Sequence, residues 1–92
     1  MKVNENEWPL IEELLAELTV MQQQRLLACA RNLISGLTED DLLQPNDFPL
    51  LEQHPIFRYE EGVLAGIQTA QVALRAFRAD LRENNDKRTT TT

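Results

Sequence analysis

The chain has 92 residues, 42% of them hydrophobic and 26% charged, with a formal net charge of −6. That leaves room for one domain with a thin core, too apolar for global disorder and too acidic overall to favour nucleic-acid phosphates or anionic lipid heads. One cysteine excludes an internal disulfide, no apolar run approaches the roughly 20 residues of a membrane span, and the polar residues 1–7 carry no secretory-signal pattern.

The expected location is therefore the cytoplasm. Leucine dominates the apolar set and only three glycines are present, which predicts an all-α fold, a small helical bundle. Charge is uneven along the chain: residues 1–53 carry net −7 and residues 54–92 net +1, so the two halves could attract each other within one molecule or between two.

Residues 1–8 are expected to form a flexible N-terminus, and 9–84 a single helical domain. Pro9 suits a first helical position, where its missing N–H needs no partner. Leu10, Ile11, Leu14, Leu15 and Leu18 recur at helical spacing, predicting a helix over 9–18 with Glu12 and Glu13 in its first turn. Thr19 followed by Gln22 fits a capping box, so a second helix is expected to start there. Its inward stripe is Leu26, Cys29, Ala30, Leu33, Ile34 and Leu37, and Gly36 is placed to end it in a left-handed conformation. So short a connection at Thr19 predicts an N-terminal αα-hairpin.

Thr38 begins a short capped helix containing Glu39, Asp40 and Asp41, which Pro45 stops. A proline-punctuated loop over residues 44–59 follows, with Pro45, Pro49 and Pro55 among Phe48, Leu50, Leu51, Ile56, Phe57 and Tyr59. These side chains either plug the open end of the bundle or form a recognition surface for another protein. The plug is preferred, because so thin a core needs them.

From about residue 58 to 84 one long C-terminal helix is expected. Val63, Ile67, Ala70, Leu74, Phe77 and Leu81 are spaced 4, 3, 4, 3 and 4, a heptad seam. Gly62, Gly66 and Ala70 add small-residue spacing beside it, which lets a neighbouring helix approach closely. Such a helix is about 39 Å long, more than the diameter of about 32 Å expected of a compact body this size, so part of it projects or is covered. Residues 85–92, ending in four threonines, are expected to be a disordered polar tail.

Chemistry finds little footing. His54 is the only histidine, and no metal-binding or nucleophile motif surrounds it. Cys29 lies on an inward stripe, Glu60 and Glu61 suit a helix N-terminus, and Arg75, Arg78 and Arg82 are interleaved with acids. No catalytic residue, cofactor, metal or small molecule is therefore expected, nor a nucleic-acid or membrane partner. The expected function is a non-enzymatic protein-interaction module that forms a homodimer through Gly62, Val63, Gly66, Ile67, Ala70, Leu74, Phe77 and Leu81. The alternative is a monomeric adaptor that holds another protein with the 44–59 loop.

Overall fold

The computed structural model describes residues 4–90, with side chains described for residues 4–84. All regular structure in it is helical. Helix α1 spans Trp8–Leu33, two 3-10 turns cover Asp40–Leu43 and Pro45–Asp47, the single turn α2 covers Pro49–Glu52, and α3 runs over Pro55–Thr90. The all-α architecture with a long C-terminal helix is as the composition predicts.

The αα-hairpin expected to turn at Thr19 is replaced by one continuous helix of 26 residues. Residues 10–35 contain neither proline nor glycine, so nothing in the backbone favours a break. Thr19 is accommodated inside the helix because its hydroxyl donates to the Leu15 carbonyl at 2.8 Å. The Gln22 amide, expected to reach back to Thr19, instead crosses to α3 and donates to the Glu60 carbonyl at 3.0 Å. Helix α1 ends at Leu33, and Gly36 takes the left-handed conformation expected of it, at φ 82°.

Thr38 and Asp41 cap the first 3-10 turn reciprocally. The Asp41 carboxylate accepts from the Thr38 amide at 2.9 Å, and the Asp41 amide donates to the Thr38 hydroxyl at 3.3 Å. Helix α3 starts at Pro55, three residues earlier than expected, because Pro55 supplies a first position with no N–H to satisfy. Residues 85–90, expected within a disordered tail, continue α3, since no proline or glycine interrupts the chain after Gly66. Thr91 and Thr92, and residues 1–3 of the expected flexible N-terminus, lie outside the described residues. Trp8, expected within that flexible segment, begins α1 and is buried.

Helices α1 and α3 pack antiparallel, and the connector folds back on one end of the pair. The result is a rod of 63 × 21 × 21 Å with a radius of gyration of 18.5 Å. A compact domain of this length would have a radius near 12 Å, so the chain is far from spherical. The fully covered core sits at the connector end: Leu26, Ala30, Leu37, Leu51 and Phe57. Arg58 ties this end together, donating to the Glu52 carbonyl at 2.7 Å and pairing with Glu61 at 2.6 Å.

Candidate interaction surface

The contact line between the two helices fixes which faces remain available. On α3 the covered or half-covered positions along this line are Phe57, Glu60, Leu64, Ile67, Gln71, Leu74, Arg78 and Leu81, with Arg58, Glu61 and Val63 half-covered beside it. That is a heptad seam, rotated by about one residue from the expected one: it keeps Ile67, Leu74 and Leu81 but replaces Ala70 and Phe77 by Gln71 and Arg78. Polar residues enter the seam because α1 carries partners for them. Gln22 meets Glu60, and Arg78 pairs with Glu12 and Glu5 at 3.2 Å each. Glu60 and Glu61, expected at the helix N-terminus, lie in the second turn because α3 begins early.

At the far end of the rod, the Trp8 ring lies 6.3 Å from the Phe77 ring, and the Arg78 guanidinium sits 5.9 Å from the Trp8 centroid. Arg82 adds a further pair with Glu5 at 3.1 Å. Hydrogen bonding from Arg82, and then from Arg78, holds the Glu5 carboxyl below the usual carboxylate range. The basic face suggested by Arg75, Arg78 and Arg82 is thus partly consumed by the acidic N-terminal segment.

The two flanks of the rod differ. One is bordered by the connector: Val20 and Gln23 of α1, Leu64 and Gln68 of α3, and Leu42 and Leu43 of the connector line an open groove of about 400 Å³, with Val20 and Leu43 50% and 79% exposed. Helical periodicity puts the opposite flank at Leu14, Leu18 and Met21 of α1, beside Val63, Gly66, Ala70 and Phe77 of α3. No other described residue overlays it. Leu14 is 56% exposed, Met21 64% and Phe77 39%, while Gly66 and Ala70 are also open. Leu10, 66% exposed, extends the patch toward its outer edge.

The structure therefore divides the expected interface residues. Ile67, Leu74, Leu81 and Val63 are half-buried along α1, whereas Gly66, Ala70 and Phe77 face outward. Gly62 is also exposed, and a Cβ added to Gly62 or Gly66 would meet nothing within 4 Å. Close packing inside the monomer does not explain either glycine. The Leu10, Leu14, Leu18 and Met21 stripe was missed in the sequence because the leucines were read as the single stripe of a helix ending at residue 18, with Met21 beyond its end; a 26-residue helix has leucine on more than one face.

The 44–59 loop divides as well. Leu51 and Phe57 are fully buried and Phe48 is half-buried against them, so these three plug the end of the rod. Leu50, Ile56 and Tyr59 remain exposed. His54 accepts from the Phe57 amide through Nδ1 at 3.4 Å, a local cap on α3. Burial, then the Glu60 charge, pushes the half-buried Cys29 thiol up, away from a reactive thiolate. Among the described residues no cluster of three or more His, Cys, Asp or Glu side chains is placed to hold a metal, and no helix is long and apolar enough to cross a membrane.

Comparison with protein-family models, with curated proteins and with solved structures finds no match to this chain.

Proposed function

We propose that this chain is a small, non-enzymatic, cytoplasmic interaction module that associates with a second copy of itself through the bare flank of the α1/α3 rod. The observation that carries this reading is the unequal cover of the two flanks. The connector lies along one, where Val20 and Leu43 still stay 50% and 79% exposed, while the other has no described residue over Leu14, Leu18, Met21 and Ala70 and leaves Phe77 39% exposed beside Trp8. From Tyr59 to Leu81 the flank is about 33 Å long, and with the 21 Å width of the rod it offers roughly 700 Å² per copy. Two copies would bury about 1,400 Å² in total, inside the range of stable specific interfaces. Association removes apolar surface that the rod cannot cover alone.

The alternative, a monomeric adaptor, retains Leu50, Ile56 and Tyr59 as its contact residues. Sedimentation of Ala70→Glu and Leu50→Glu separates the two. Both positions are exposed, so both variants should fold. Under self-association through the flank, Ala70→Glu sediments as a monomer and Leu50→Glu as a dimer. A wild type that sediments as a monomer, with partner capture lost only in Leu50→Glu, would favour the adaptor.

A further inference from the structure

On the reading just given, that the bare flank binds a second copy, the sequence along the flank also specifies how that copy lies. We infer that the two rods pack antiparallel about a twofold axis perpendicular to them, with α1 on α1 and α3 on α3 of the partner, clasped at both ends by Glu7–Arg25 ion pairs between copies.

Two placements of the axis, one from each helix, agree through the register between the helices. Along α1 the flank reads Glu7, Ile11, Leu14, Leu18, Met21 and Arg25. Reversing this order exchanges Glu7 with Arg25, Ile11 with Met21 and Leu14 with Leu18, so the stripe is self-complementary about the level of residue 16. Along α3 the flank reads Tyr59, Val63, Gly66, Ala70, Ala73, Phe77 and Leu81. Reversal about Ala70 exchanges Val63 with Phe77 and Tyr59 with Leu81, and leaves the small residues at the centre. The register inside the monomer joins the two. Trp8 sits beside Phe77 and Arg78, and antiparallel packing from that contact brings residue 16 level with residue 70. One axis satisfies both helices.

Charge favours this arrangement over the parallel one. In an antiparallel pair each Glu7 carboxylate approaches the partner's guanidinium. In a parallel pair α1 of one copy lies over α3 of the other, which brings Glu7 to the level of residue 79 and Arg25 to the level of residue 61, where the flank presents Phe77 and Leu81, and Tyr59 and Val63, rather than an opposite charge. Arg25 is exposed and, among the described residues, forms no ion pair within its own chain. The central small residues fit the same geometry, since Gly66, Ala70 and Ala73 let the two α3 backbones approach closely, a use for Gly66 that the monomer lacks. Isologous contacts of this kind close at two copies.

The test uses charge reversal and cross-linking together, in the full chain. Glu7→Lys and Arg25→Glu each replace two attractions by two repulsions and should weaken the homodimer about tenfold. Mixed in equal amounts, the two variants should form a heterodimer in preference to either homodimer, because both cross-pairs then attract. In a Cys29→Ser background, Ala70→Cys should oxidise to a disulfide-linked dimer with itself. A chain that is dimeric by mass, yet shows no heterodimer preference and links Ala70→Cys to Leu14→Cys rather than to itself, overturns the antiparallel arrangement and leaves self-association standing. A wild-type monomer at every concentration overturns both.

Discussion

The connector end and the middle of the rod are built from the same two helices but solve the burial problem differently. At the connector end, α1 and α3 receive a third layer, so Leu51 and Phe57 reach 0% exposure and Ala30 is closed from every side. In the middle, two helices face only each other, and the best-covered positions, such as Leu15, Ile67 and Leu74, stay half-exposed. Two helices share a single line of contact, which encloses a large side chain only at the far end, where Trp8 lies against Phe77 and Arg78 and is 2% exposed. A connector of about twenty residues is long enough to close one end and too short to reach the rest. Along the unclosed length the bare flank carries Leu14, Leu18, Met21, Ala70 and Phe77, the surface on which the proposed second copy would form a further layer.

This contrast sets the order of mutational effects. Phe57→Ala should cost about 3–5 kcal/mol, enough to unfold much of so small a domain, and Leu51→Ala about 2–5 kcal/mol, both measured by urea denaturation. At the far end, Trp8→Ala should cost about 3 kcal/mol, because it removes both the Phe77 contact and the platform under Arg78. If Trp8→Ala cost as little as an exposed-flank substitution, the far end would not be a second anchored region. Gly62→Ala should move the other way and stabilise the chain by up to about 1 kcal/mol, since the added methyl meets open space inside a helix.

Smaller effects sharpen the picture. Cys29 should react slowly with an alkylating reagent at neutral pH and much faster once urea opens the chain, because burial disfavours its thiolate. The Glu5 carboxyl is held below its ordinary range in the folded chain, so its contribution to stability is fully present above the unfolded carboxylate range and is lost as pH falls through the folded value. Glu5→Gln should therefore flatten the acid limb of the stability–pH curve slightly, and salt should reduce the difference for so exposed a pair.

Much of the fold was legible because it rests on local signals. The absence of strand-forming patterns, the Thr38 turn, Gly36, and the proline-free stretch that became α3 all translate directly into backbone conformation. The break at Thr19 did not exist, because a capping box is a local permission that a continuous α1 overrides at the small cost of one threonine bonding back to Leu15. The heptad on α3 was real, but its register depended on which residues α1 presents. Gln71 and Arg78 sit in the contact line since Arg78 finds Glu12, Glu5 and Trp8 there, and apolar periodicity alone selected Ala70 and Phe77 one residue away. That shift of one residue leaves two of the six expected seam residues, Ala70 and Phe77, on the bare flank and the other four half-buried along α1.

The most direct test of self-association through that flank is the absolute solution mass of the wild type by light scattering over a wide concentration range, beside Ala70→Glu. The expected result is twice the 10.6 kDa chain mass for the wild type, and a folded species of one chain mass for the variant. A wild type that remains at one chain mass at the highest concentration, with its apolar flank in water, would contradict the account.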